Sequence, residues 1–477
     1  MTSFLALAPL LATAAGALVV LLIEAFGRKD NKDALGYISI LALLLSGFFS
    51  MRAWGRGFSY FGSALVLDRF ALILCLVFVA AGAFIILMSL KYIRNQGANF
   101  GEFYALILLS VAGMMMMASS GSLLVIFLGL EVLSVSSYAL TGLKKKDPKS
   151  SEAAVKYFLM GSFASAFLVF GLALLYGAFR SLDIEAVRGA LLRGTGTAGV
   201  PGWAGLALVV AGFGFKVAVA PFHMWAPDVY EGAPTPVSAF LTTGPKIPVF
   251  AVLFRVLAPL WSRAGGASVM FWLVSGAAIL TMLIGNLTAL RQRNLKRLLA
   301  YSSIAHSGYI LVGLVSGDGP GIIFYLVAYL LMNAGAFGAL IAVSRKGTEY
   351  VDIEDFAGLG FRYPWIGASL AVFLFSLAGF PPTAGFLAKF YVFSAAVRQG
   401  HVALAVIAVL ASLISVFYYL RVVVFMYMRD PLASVEIERD DPALYLVLFL
   451  CLYGVIQLGL WPGNLMVVIR QAAASLF

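Results

Sequence analysis

The 477-residue sequence contains two cysteines and three histidines. Cys75 and Cys451 lie far apart inside apolar runs, where a free thiol behaves as a small hydrophobe. Their spacing fits neither a disulfide framework nor a zinc site. An iron–sulfur cluster needs about four cysteines, and haem needs an axial ligand. The chain is therefore read as carrying no redox centre and no metal of its own. Charge is scarce as well. Only 12% of the residues are charged, against about 25% in a soluble domain. A signal peptide opens on positive charge, and this sequence does not. Its first basic residue is Arg28, after the apolar run Phe4–Phe26, so that run reads as a retained first span.

What is present is apolar. Hydrophobic residues make up 62% of the chain, and the mean hydropathy is +0.97. A helix needs about 20 apolar residues to cross the hydrocarbon core. That length predicts an all-α polytopic membrane protein with about 14 transmembrane helices. The predicted spans are roughly 4–26, 34–51, 70–90, 102–118, 122–142, 153–178, 203–221, 234–258, 269–290, 296–315, 321–343, 364–398, 402–427 and 442–461. Two regions are irregular. Residues 221–236 (PFHMWAPDVYEGAPTP) are rich in Pro and Gly. Span 12 (364–398) would make a straight helix of about 50 Å, too long for a core of about 30 Å. Its break is expected at Gly379-Phe380-Pro381-Pro382, where proline removes a backbone hydrogen bond and clashes with the preceding turn.

The net charge of +11 does not point to nucleic acid, because the basic residues crowd into short loops between apolar runs. Loops after odd-numbered spans hold 19 of the 33 Lys and Arg, the opposite side holds 10, and four lie within spans. The positive-inside rule then places both termini on the outer, periplasmic side of a bacterial inner membrane.

Ionisable residues inside spans are costly and are functional candidates by default. Four stand out: Glu131 in GLEVLSVSSYALTG, Lys216 in WAGLALVVAGFGFKVAVAP, Lys246 between Pro245 and Pro248, and Lys389 after the break in span 12. Lys216 has no acid in its own span, so its partner must come from another helix, and Glu131 is the expected one. A plainer reading makes Glu131 and Lys216 a structural ion pair, Lys246 a brace for freed carbonyls, and Lys389 a side chain that snorkels to the interface. His306, beside Tyr301, Ser302, Ser303 and Ser307, and His223, after Pro221, are candidate relay groups, since histidine titrates near neutral pH. Lys156 opens an otherwise apolar span and is a further candidate. Two like charges about 7–8 Å apart interact by roughly 2 kcal/mol at an effective dielectric of about 20. A change in the Glu131–Lys216 separation would therefore push a proton toward Lys246 and on to Lys389.

Four stretches carry a resemblance. GLEVLSVSSYALTG (129–142), GFKVAVAPFHMWAPDVYEGAPTPVSAFL (214–241), RLLAYSSIAHSGYILVG (297–313) and SLAGFPPTAGFLAKFYVF (376–393) resemble the antiporter-like membrane subunits of respiratory complex I. The likeness is greatest to the subunit N branch of bacterial NADH–quinone oxidoreductase. It covers nearly the whole chain, with its strongest part from about 100 to 400. It implies two inverted five-helix repeats, spans 4–8 and 9–13, with spans 7 and 12 broken. The chain would then be a single integral membrane domain: three N-terminal helices (1–100), a first repeat (101–260), a second repeat (265–430) and a C-terminal helix (431–477).

The resemblance also implies a charged axis on Glu131, Lys216, Lys246 and Lys389, with His306 at the span-10 polar position. The implied role is proton translocation driven by electron transfer from NADH to quinone. NAD, FMN, iron–sulfur clusters and quinone would sit in partner subunits, beside other membrane subunits and further antiporter-like ones. A cation/proton antiporter subunit is the rival reading, as is a subunit of a complex linked to ferredoxin, F420 or a hydrogenase. A third reading is a silent scaffold that anchors its neighbours.

Overall fold

A computed structural model describes residues 2–27, 32–96, 100–192, 195–264, 269–345, 347–430 and 441–476. Arg28, Lys29, Lys346 and Arg439, counted above as loop charges, lie outside the described residues. The helices are α1 (Thr2–Phe26), α2 (Asp33–Ala53), α3 (Arg69–Asn95), α4 (Gly101–Ala118), α5 (Leu123–Thr141), α6 (Pro148–Phe179), α7 (Ile184–Leu192), α8 (Thr195–Lys216), α9 (Trp225–Gly232), α10 (Thr235–Thr243), α11 (Lys246–Ala264), α12 (Val269–Ala289), α13 (Leu295–Val315), α14 (Gly319–Val343), α15 (Leu359–Arg362), α16 (Pro364–Ala378), α17 (Ala384–Arg398), α18 (Val402–Met428), α19 (Pro442–Leu460) and α20 (Gly463–Ala473). The only strands among the described residues are β1 (Phe58–Tyr60) and β2 (Leu65–Leu67), an antiparallel hairpin between α2 and α3.

Among the described residues, thirteen apolar segments are long enough to cross a membrane, counting Thr235–Ala258 across the α10–α11 junction as one. The remaining predicted span is α16 and α17, whose division falls at Gly379–Thr383. Burial ranks the helices. α10, α11, α13 and α14 are buried along almost their whole length, so these helices form the centre. α6 and α18 lie at the edge and expose Phe158, Phe163, Phe170, Leu413 and Phe417, as a lipid-facing or partner-facing surface would. Small residues let neighbouring helices close up. A Cβ on Gly171 of α6 would meet Gly205 O of α8 at 2.8 Å, and one on Gly205 would meet Gly171 O at 2.9 Å.

Two departures from the sequence reading concern the site. The apolar run of span 7 continues to Pro221, but α8 ends at Lys216. Ala218 is left-handed (φ 56°), and Val219 N–H bonds back to Gly214 O at 2.9 Å, so the chain turns out of the helix at once. Lys216 is thus the last residue of α8 and not an interior one. Span 8 is also interrupted, between α10 and α11 at Gly244-Pro245. Pro248 falls in the first turn of α11, where a missing N–H costs nothing.

Candidate functional site

Three ammonium groups sit at three helix breaks. Lys216 terminates α8. Lys246 opens α11. Lys389, on α17, reaches back across its break and donates to Leu377 O and Ala378 O, both at 2.9 Å, and to Ser412 Oγ at 2.8 Å. Those carbonyls end α16 and have no helical partner of their own. The C-terminal end of a helix carries partial negative charge, so Lys216 at the end of α8 and the Lys389 ammonium at the end of α16 both lie where a helix favours a cation. Gly379 makes the second seat possible. It is left-handed (φ 92°), and a Cβ there would stand 3.1 Å from Lys389 Cδ.

Lys216 is 3% exposed, and its Nζ has no hydrogen-bond partner among the described residues. Two aromatic faces hold it instead, Tyr138 with its centroid at 5.1 Å and Tyr157 at 4.9 Å. The two rings meet edge to face at 4.7 Å, and Trp225 stacks on Tyr157 at 4.5 Å. Gly161 is needed here, because a Cβ on it would overlap the Tyr138 hydroxyl. Glu131, the expected partner, does not touch Lys216. Its carboxylate accepts from Ser165 Oγ at 2.6 Å and acts on the Lys216 charge from a distance.

Lys246 is 1% exposed and donates to Ser303 O at 2.7 Å and Ser307 Oγ at 2.8 Å. Ser307 Oγ in turn donates to Val217 O at 2.7 Å, which joins the Lys246 seat to the residue after Lys216. One residue along, the His306 ring pairs through Nδ1 with Tyr325 OH at 2.7 Å and through Nε2 with Tyr419 OH at 3.4 Å. Tyr419 also hydrogen-bonds Ser302. Tyr309 packs beside His306, with ring centroids 5.5 Å apart, and accepts from Asn286 Nδ2 at 2.8 Å. The Tyr309 ring faces Lys389 Nζ at 5.0 Å. α13 is the common strut, since Ser303, His306, Ser307 and Tyr309 all lie within two of its turns.

Lys156 and His223 stand apart from this row. Lys156 pairs with Glu152 at 2.7 Å and with Asp228 at 2.8 Å. Asp228 also holds Arg297 at 2.7 Å, and Glu231 binds Arg297 at 3.1 Å and Lys149 at 3.3 Å. His223 lies partly buried in the turn between α8 and α9. Among the described residues, no group of three His, Cys, Asp or Glu side chains is placed to hold a metal ion.

The sequence reading missed a second charged centre. Glu349, in the loop after α14, accepts from Tyr92 OH, Lys144 Nζ and Thr235 Oγ1 (3.0 Å), and lies 3.4 Å from Lys296 Nζ. Lys296 is 2% exposed and also donates to Ala233 O at 2.5 Å. Burial works to raise the Glu349 pKa, but Lys296 and Lys144 outweigh it and bring it down to about 2. In the sequence Lys144 and Lys296 read as topology signals, and no local pattern around Glu349 marks it. The tyrosines and Asn286 of the row are equally hidden there, because an apolar span with a few phenols reads as ordinary packing.

Residues 120–415 match the family described as NADH:quinone oxidoreductase/Mrp antiporter, TM. NADH-quinone oxidoreductase subunit N of Trichlorobacter lovleyi is 41% identical over 459 residues, covering 95% of this chain and 94% of that protein. The fold matches a chain of respiratory complex I from Thermus thermophilus with TM-score 0.83 and 33% identity, over 98% of this chain and 99% of that one. A chain of the Mrp complex from Dietzia sp. gives TM-score 0.84 at 22% identity, over 100% of this chain and 98% of that one. At that identity the likeness is one of fold alone.

Proposed function

The chain belongs to the NADH:quinone oxidoreductase/Mrp antiporter membrane family, and from that premise we propose that it moves protons along Glu131, Lys216, Lys246, His306 and Lys389. It is a multi-pass inner-membrane subunit of a larger proton-translocating complex, in association with other membrane subunits. On this reading the partner subunits carry NAD, FMN, iron–sulfur clusters and quinone, and electron transfer from NADH to quinone drives the protons here. The neighbours include further antiporter-like subunits, and both termini face the periplasm.

One observation carries the reading: three buried ammonium groups at three helix breaks, with Ser303, His306, Ser307 and Tyr309 of α13 set beside Lys246 and Lys389. Broken helices that offer their C-terminal ends to cations near the midplane are the usual building plan of inverted-repeat transporters. Lys216 ends α8, and the Lys389 ammonium reaches back from α17 to the carbonyls that end α16. That match supports two inverted repeats, 101–260 and 265–430, between an N-terminal part (1–100) and a C-terminal helix (431–477). His223 and Lys156 take supporting places, outside the main row.

The experiment is NADH-driven proton pumping by the native assembly in vesicles. Lys216→Met and Lys389→Met, each in a correctly assembled complex, are expected to pump at about a tenth of the wild-type rate or less, since a lost transition-state interaction of about 1.4 kcal/mol already gives tenfold. Wild-type pumping in both would leave only a scaffold. Pumping that requires sodium or potassium and no NADH would favour the antiporter reading.

A further inference from the structure

Lys156 and Asp228 lie outside the Glu–Lys row but one step from it by two routes. On α6, Lys156 precedes Tyr157, whose ring stands 4.9 Å from Lys216 Nζ. On α9, Asp228 follows by one turn Trp225, which stacks on Tyr157 at 4.5 Å with an interplanar angle of 10°. The 2.8 Å ion pair and the ring stack therefore fasten the same two helices at two points. Trp225 reaches a third, donating from Nε1 to Phe215 O at 2.9 Å beside Lys216.

α9 depends on such ties. It has eight residues, too few for a helix to be stable on its own. Irregular backbone flanks it, with left-handed Ala218 before it and Ala233-Pro234 after it. Its acids are held from two helices: Asp228 by Lys156 of α6 and Arg297 of α13, Glu231 by Arg297 and Lys149, with Glu152 sharing Lys156.

We infer that Lys156 and Asp228 are positioning residues for Lys216: their ion pair holds α9, and the Trp225–Tyr157 stack passes that placement to the ring face on which the Lys216 ammonium rests. A cation is attracted to a ring only within about 6 Å of its centroid, and Lys216 has no hydrogen bond among the described residues to take over. Moving α9 therefore changes how well the Lys216 charge is stabilised, and Lys156 need carry no proton. The inference rests on the reading that Lys216 changes its protonation state in turnover.

The test uses the whole assembly with tryptophan replaced by 5-fluorotryptophan, the Trp225 fluorine resonance being assigned by its loss in Trp225→Phe. Asp228→Asn and Lys156→Met are expected to move that resonance and to slow proton pumping by roughly two- to fivefold, the range a part-exposed ion pair can transmit. Asp228→Glu and Lys156→Arg keep the pair and are expected to restore both readouts. An unmoved resonance in Asp228→Asn, or pumping still lost in the conservative variants, overturns the inference. Wild-type pumping in Lys216→Met would remove the Lys216 reading itself, whereas a fixed Trp225 resonance removes only the clamp, so the two failures are distinct.

Discussion

At the scale of single residues, the site is a set of answers to one question: what stands beside a buried ammonium. Lys246 and Lys389 are given carbonyl and hydroxyl oxygens. Lys216 is given two ring faces and a remote carboxylate. The Lys389 seat can be probed through its glycine. Gly379 and Gly400 are both left-handed, at φ 92° and 83°. A methyl group added at Gly379 would have Lys389 within 4 Å, while one added at Gly400 would meet open space. An alanine in the left-handed region costs roughly 1–2 kcal/mol at either position. Gly379→Ala and Gly400→Ala are therefore expected to lower thermal stability of the complex by similar amounts. Only Gly379→Ala is expected to slow proton pumping, by roughly tenfold or more. Equal pumping in the two variants would separate the break from the chemistry.

At the scale of elements, apolar length and Pro/Gly punctuation made most of the fold legible. The fourteen segments and the break near Pro381-Pro382 follow from hydropathy and proline chemistry alone. The early end of α8 does not, because Val217–Ala220 is as apolar as the helix before it. Its turn is set by a backbone conformation at Ala218 that no residue type announces. The four intramembrane charges were legible for the opposite reason, since each is an expensive exception in an apolar run. Glu349 was not legible, because a carboxylate in a polar loop is ordinary until Tyr92, Lys144, Thr235 and Lys296 converge on it from four other parts of the chain.

That convergence has a stability consequence. The Glu349 pKa falls from 4.5 to about 2 on folding, which is worth about 3 kcal/mol. A depressed carboxylate contributes fully above its unfolded pKa and loses the contribution as pH falls toward the folded one. Glu349→Gln is thus expected to lower the melting temperature of the subunit by a constant amount between pH 6 and 8. The gap to wild type should narrow below about pH 4.5. A gap that instead changed between pH 6 and 8 would assign the effect to another titrating group.

At the scale of the whole molecule, the charges are sorted by side. Lys144, Lys149, Lys296, Arg297 and Glu349 come from the loops after spans 5, 9 and 11 or the helix ends beside them, and they meet in two adjoining clusters. The opposite side has a different character, with the β1–β2 hairpin and the Arg255–Asp68 pair at 2.8 Å. Basic residues are retained on the cytoplasmic side during insertion, so the clustered side is expected to face the cytoplasm and the two termini the periplasm. Cysteine labelling can decide this, because both native thiols, Cys75 and Cys451, are 0% exposed and give little background. Asn464 is exposed in the first turn of α20, and Lys146 is exposed between α5 and α6. In intact spheroplasts an impermeant maleimide is expected to label Asn464→Cys and to leave Lys146→Cys untouched until the membrane is opened. The reverse pattern would turn the protein over. The Glu349 and Asp228 clusters would then stand at the side where protons leave, and the direction of travel along the Lys216–Lys389 row would have to be read the other way.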